Sequence, residues 1–286
     1  MKIMFLDGFD NPISKSIYNY LSNSNQIDTV NGNKSDYDLI LMFGEVDANQ
    51  TNTDIIDHNQ NSKLILVTND HKIITNDLIE YAKKYGMRYS IITESNFEMT
   101  KDMVSVSQVD LNSLYYSSNV DNSLFQELDP KGTCYLELQT SERLPIVKPF
   151  RCKELTFIGH KRNKVHLSNF ESILIADEIH SNYMPMSFYE ALTNRLCPLF
   201  DSSYSRVIMG CPYVVPSWCI ISNKDSLGRV IPSYIESDLV QCRLLANRTK
   251  NLTITQINSI ITATVETLSV RGLPSVFKKE NKLELI

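Results

Sequence analysis

The chain has 286 residues, 42% of them hydrophobic, which exceeds a usual single domain of roughly 100 to 200 residues and supplies apolar mass for two cores. A net charge of -5 argues against a protein that coats nucleic acid by charge alone, and leaves room for an enzyme with one local basic groove. No apolar stretch approaches the roughly 18 residues of a membrane span, MKIMFLDGFD meets Asp7 too early for a secretory signal, and the six cysteines contain no CxxC pair, so an intracellular protein without disulfides, zinc or membrane contact is expected.

KIMFL (Lys2 to Leu6) reads as a first strand, and SKSIYNYLSN (Ser14 to Asn23) as an amphipathic helix with Ile17, Tyr20 and Leu21 on one face. DYDLILMFG (Asp36 to Gly44) and KLILV (Lys63 to Val67) read as buried strands. TNDLIEYAKKYG (Thr75 to Gly86) is a helix with a Thr cap and a closing Gly, leading into the strand YSIIT (Tyr89 to Thr93). Continuous apolar strands alternating with helices indicate a parallel sheet covered on both faces, a Rossmann-like unit. From Phe97 to about Gly132 the periodicity fades and Asp, Asn and Ser accumulate, which reads as a linker with short pieces of structure. CYLEL (Cys134 to Leu138), ELTFIG (Glu154 to Gly159), SILIAD (Ser172 to Asp177), CPLFD (Cys197 to Asp201) and WCIIS (Trp218 to Ser222) are then strands of a second sheet. SFYEALTNR (Ser187 to Arg195) is a helix among them, and TQINSIITATVETLSVRG (Thr255 to Gly272) a long one after them. The expected division is an α/β Rossmann-like unit over 1–125 and another over 126–272, with a C-terminal helix at 273–286 packing back on the first.

Two such units facing one another leave a cleft lined by the carboxyl ends of both sets of strands, where ligands of this fold class bind. Two stretches place chemistry there. SKLILVTND (Ser62 to Asp70) is an aliphatic run stopped by Asn69 and Asp70, with His71 and Lys72 beside it. Asp70 either closes an Asx turn or is held out toward a ligand, and Asp7, Asp10 and Glu45 follow other predicted strands as rival carboxylates. In MPMSFYEALTNRLCPLFD (Met184 to Asp201), Pro185 stops regular structure and a helix begins whose free N–H groups suit a phosphate, with Glu190 one turn in and within reach of a ribose hydroxyl pair. Ser187 and Glu190 equally form an S-x-x-E capping box, which needs no ligand. Basic residues gather in AKKYGMR, KPFRCK and HKRNK, each a solvated face or a ligand contact.

The helix, the following strand and the terminal Asp201 resemble the nucleotide-sugar site of GT-B glycosyltransferases. MKI, DYDLILMF, SKLILVTND, ELTFIGHKRNK, SILIADEIHSNY and FYEALTNRLCPLFD, in this order and over about two thirds of the chain, resemble the DNA β-glucosyltransferase family of T-even bacteriophages, which glycosylates 5-hydroxymethylcytosine from UDP-glucose. The resemblance implies a GT-B fold with two Rossmann-like domains across a cleft. It also implies that Asp70 is the catalytic base and Glu190 the ribose ligand, with Met186 and Ser187 at the helix start beside the diphosphate. Thr140, Ser141 and Arg143 in LQTSERLP would donate to phosphate oxygens, and His160 and Arg162 would assist them. The backbone near Val165 and His166 would read the uracil edge.

The family carries an Arg three residues before the ribose-binding Glu, where this chain has Ser187, so that phosphate contact falls to another group, with Arg143, Arg195 and Arg206 the candidates. DYD opens a strand rather than closing one, and the five histidines make no recognised metal spacing. No metal ligands are therefore expected, and Mg²⁺ serves at most product release. The implied partners are a UDP-sugar carrying glucose or a pentose such as arabinose, and double-stranded DNA with hydroxymethylated bases, the target base turned out of the duplex to meet Asp70. The implied place is the cytoplasm of a phage-infected cell. The alternatives are a GT-B transferase acting on a glycan or small molecule, which the negative charge favours, and a non-catalytic nucleotide-sugar-binding module.

Overall fold

The computed structural model describes residues 1–6, 12–29, 36–44, 46–68, 77–95, 98–118, 132–136, 155–158, 167, 170–176, 179, 181–222 and 236–269. Asp70, Thr140, Ser141, Arg143, His160, Arg162, Val165 and His166 lie outside these residues, as do the rival carboxylates Asp7, Asp10 and Glu45 and the whole of 273–286.

The first sheet consists of β1 (Lys2–Leu6), β2 (Gln26–Thr29), β3 (Leu39–Phe43), β4 (Lys63–Thr68), β5 (Tyr89–Thr93) and β6 (Met103–Gln108). They lie in the order β2-β1-β3-β4-β5-β6 with every pairing parallel. Their apolar runs are continuous because both faces are covered. Met4, Leu6, Ile40, Met42, Leu64 and Leu66 enter one core with α2 (Gln50–His58) and α3 (Asp77–Lys84). Their chain neighbours Ile3, Phe5, Leu39, Leu41, Ile65 and Val67 enter another with Ile13, Ile17 and Leu21 of α1 (Pro12–Leu21). The two-residue period of a strand thus fills two cores from one run. Gly86 closes α3 at φ +74°, a backbone conformation in which it avoids the penalty of a side chain.

The second sheet consists of β7 (Thr133–Leu136), β8 (Leu155–Ile158), β9 (Ser172–Ile175), β10 (Cys197–Asp201) and β11 (Ile220–Ile221), parallel in the order β11-β10-β9-β7-β8. The helix α4 (Met186–Thr193) joins β9 to β10, and α5 (Ser205–Gly210) follows β10. Phe188, Ala191 and Leu192 of α4 pack with Ile173, Leu199 and Phe200 into this sheet's core.

The last described helix, α6, runs over Glu236–Ser269, well ahead of its predicted start at Thr255. Leu239, Cys242 and Ala246 in its first part belong to the second sheet's core, and Ile257 and Ile261 further along belong to a core of the first. The predicted linker after Phe97 also needs correction. It contains β6, the edge strand of the first sheet, and a 3-10 turn at Leu111–Tyr115. An edge strand written MVSVSQ and only partly buried has no continuous apolar run to reveal it. The short polar elements β2 (QIDT) and α2 (QTNTDIIDH) escape the sequence pattern for the same reason. Among the described residues no helix is long and apolar enough to cross a membrane.

Candidate active site

α4 opens at the carboxyl edge of the second sheet. Its N-cap is Pro185, in extended conformation and without a side-chain hydrogen bond, and the Phe188 N–H donates to the Pro185 carbonyl at 3.0 Å. Ser187 is therefore the second helical residue, buried at 1% exposure, rather than the cap. The S-x-x-E capping box read from the sequence is corrected accordingly, because that motif needs Ser at the N-cap position.

Glu190 is half-buried one turn into α4. Burial pushes the Cys134 thiol on β7 up to about 12, and the nearby charge of Glu190 adds to it. At β7 the strand order reverses, with β8 on one side of it and β9 on the other. Nucleotides bind at such a switch point in open α/β sheets. Asn194 closes the helix, its N–H and its Nδ2 both donating to the Glu190 carbonyl, at 3.0 and 2.9 Å, and Arg195 follows at φ 57°. Arg195 thus stands about 13 Å along the helix axis from Met186, at the opposite end of α4.

A cavity of about 270 Å³ lies between the two sheets. Glu94, following β5, and Gln108 and Asp110, at the end of β6, line one side. The loop Ser181 to Met184 that enters α4 and the loop after α5 line the other. The Glu94 carboxylate accepts from the Asn112 N–H at 2.5 Å and from Asn112 Nδ2 at 2.7 Å. Asp110 accepts from the Tyr189 hydroxyl at 2.6 Å and from the Ser113 N–H at 3.1 Å. The Tyr213 hydroxyl donates to that of Tyr189 at 3.2 Å and meets Thr249 Oγ1 of α6 at 3.1 Å. Burial, with the Asp110 charge beside it, holds the Glu94 carboxyl well above its usual range. Burial likewise raises Asp110 to about 6, against the opposing hydrogen bonds from Tyr189 and Ser113.

Glu94 and Asp110 are absent from the sequence-derived site. The signal for them was the one that selected Asp70, a carboxylate just after a strand, but Asp110 fell inside the supposed linker and Glu94 carried no motif. Of the sequence-derived residues, Met186, Ser187 and Glu190 share α4, whose entering loop lines the cavity, Arg195 follows that helix and Arg206 lies in α5; the others fall outside the described residues. Thr68, the last residue of β4, pairs with Thr93, and Thr93 is followed by the cavity-lining Glu94. β4 therefore ends, at Thr68, on the same carboxyl edge. Among the described residues no group of three His, Cys, Asp or Glu side chains converges to hold a metal ion.

Two parallel α/β sheets in this arrangement, each with a strand-order switch, define a GT-B fold. Among solved structures the chain is similar to the DNA-modifying enzyme β-glucosyltransferase, determined in the presence and absence of uridine diphosphoglucose, at TM-score 0.59 and 11% identity over 95% of this chain and 98% of that one. It is also similar to an aspartate-to-alanine mutant of T4 phage β-glucosyltransferase in complex with UDP-glucose, at TM-score 0.56 and 10% identity, and to the T4 enzyme with UDP and Mn²⁺, at 0.52 and 10%, with the same coverage. At such identity the likeness is one of fold. No protein-family model matches the sequence, and no curated protein does.

Proposed function

We propose that the protein is an inverting UDP-sugar glycosyltransferase whose acceptor is a 5-hydroxymethylpyrimidine in phage DNA. The observation that carries this reading is the fold shared over 95% of the chain with a DNA-modifying glucosyltransferase. In the proposed step the acceptor hydroxyl loses its proton to the Asp70 carboxylate as its oxygen attacks the anomeric carbon. The bond from that carbon to the diphosphate breaks, UDP leaves with the electron pair, and the carbon inverts. A hydroxymethyl group is a poor nucleophile at neutral pH, which is why a base is needed.

Met186, Ser187 and the first-turn N–H groups of α4, with Thr140, Ser141, Arg143, His160 and Arg162, bind the diphosphate and stabilise the charge growing on it. Glu190 takes the ribose, and the backbone near Val165 and His166 takes the uracil. The unit over 1–125 holds the acceptor, and that over 126–272 holds the donor. The sugar is glucose or a pentose, Mg²⁺ assists product release, and the setting is the cytoplasm of an infected host cell.

Mass spectrometry of hydroxymethylated duplex DNA, unmodified DNA and oligosaccharides, each incubated with a panel of UDP-sugars, tests the reading. The expected result is one added sugar on hydroxymethylated DNA alone, with DNA affinity falling steeply between about 50 and 200 mM salt as phosphate contacts are screened. Transfer only to oligosaccharide would move the acceptor to the glycan class. No transfer and no donor hydrolysis, with UDP still bound, would leave a binding module. The ribose assignment is checked separately by calorimetry. Glu190→Ala is expected to weaken UDP by about 10- to 100-fold, the worth of hydrogen bonds to a charged group. Unchanged affinity would remove Glu190 from the donor site.

A further inference from the structure

The helix that carries Glu190 is tied at three points to one short segment following the first sheet. At its entry the Met184 carbonyl accepts from Asn112 Nδ2 at 3.2 Å. In its middle the Tyr189 hydroxyl donates to Asp110 at 2.6 Å. At its end Thr193 Oγ1 accepts from the Ser117 N–H at 2.9 Å. The same segment is fixed in turn to α6, with Ser113 Oγ donating to Thr253 Oγ1 at 3.0 Å and Lys250 Nζ donating to the Tyr116 carbonyl at 2.7 Å. We infer that Asp110 is a positioning residue for donor binding, setting through Tyr189 the rotation of α4 and hence the place of Glu190. The inference rests on the donor-site reading above.

Three physical points support it. α4 has only eight residues and a proline N-cap with no side-chain hydrogen bond, so its own ends define its rotation weakly. Tyr189 immediately precedes Glu190, so turning the ring about the helix axis turns the carboxylate with it. Burying Asp110 beside Glu94 costs stability that an apolar pair would not, so what the Tyr189–Asp110 bond supplies is direction more than strength.

The bond is charge-assisted only while Asp110 is ionised. Glu94 faces Asp110 from the end of β5, Tyr189 from α4, Tyr183 from the loop entering α4, and Cys211 and Tyr213 from the loop after α5. Lowering pH through about 6, the raised value of Asp110, protonates it and reduces the bond to a neutral one.

The test is binding of UDP-glucose without acceptor, a donor whose diphosphate binds no proton near pH 6, measured by calorimetry for the wild type, Tyr189→Phe and Thr193→Val. At pH 7.5 Tyr189→Phe is expected to bind about 10-fold more weakly, and at pH 5 to within about 3-fold of the wild type. In turnover its donor KM rises while kcat holds. Thr193→Val, which removes the tie at the other end of the helix, is expected to weaken the donor at both pH values alike. Wild-type protein that binds no UDP-glucose would end the donor reading itself. Wild-type binding with Tyr189→Phe equally tight at pH 7.5, or with a deficit that ignores pH, would overturn the positioning role and leave that reading standing. If Tyr189→Phe fails to fold, Asp110→Asn replaces it, and wild-type affinity in that variant at pH 7.5 overturns the role.

Discussion

Asp70→Ala is expected to slow sugar transfer by about 10²- to 10⁴-fold while leaving UDP affinity within about twofold, since a general base acts in the transition state and leaves the bound nucleotide untouched. The measurement is single-turnover transfer to hydroxymethylated duplex, paired with calorimetric binding of UDP. Asp7→Ala, Asp10→Ala and Glu45→Ala are the controls, because each of those carboxylates also follows a strand of the first sheet. Loss confined to one of them would move the base to that residue. Equal loss in all would indicate that the carboxyl edge as a whole sets the acceptor's position. Full activity in Asp70→Ala would remove proton transfer to this side chain from the mechanism. A pH profile adds a second check: with a carboxylate base, transfer falls as pH drops through that carboxylate's pKa, and the residual rate of Asp70→Ala lacks this limb.

Much of this architecture was written locally. The runs IMFL, LILMF and LILV are apolar at every position because successive side chains serve the two faces of one sheet, and such a run reveals a buried parallel strand before any pairing is known. YSIIT coincides with β5 and CPLFD with β10. What escaped is whatever draws stability from partners distant in sequence. β6 is an edge strand that is only partly buried, and its place follows from pairing with β5. The front of α6 buries Leu239, Cys242 and Ala246 against the second sheet but leaves Val240 and Leu244 exposed, so a pattern built on Ile257, Ile260 and Ile261 began the helix too late.

The site divides in the same way. Glu190 stands out as a candidate because its helix start is a local motif, whose cap the structure moves from Ser187 to Pro185. Asp110 could not, since its meaning lies in contacts with residues 79 and 143 positions away in the chain, Tyr189 and Thr253. A carboxylate in a stretch rich in Asn and Ser looks solvated until the second sheet closes over it. The same closure gives Glu94 and Asp110 their raised pKa values.

Phe188→Ala is expected to cost about 3–5 kcal/mol of folding stability, the range for deleting a fully buried aromatic ring. Phe188 has no exposed surface, and its ring packs edge-on against Tyr189 at 5.3 Å and Tyr213 at 4.9 Å and tilted against Phe200 at 5.8 Å. It therefore joins α4, β10 and the loop behind the cavity, and its removal opens a void beside Tyr189 and Tyr213, which belong to the Asp110 hydrogen-bond network. Urea unfolding followed by far-ultraviolet circular dichroism measures the loss, with Val214→Ala as the control at 79% exposure, expected within about 0.5 kcal/mol of the wild type. A loss below about 1 kcal/mol in Phe188→Ala would mean that the second core closes over the gap. The seat of the Glu190 helix would then depend on the polar ties alone, and donor affinity in the folded variant would equal that of the wild type.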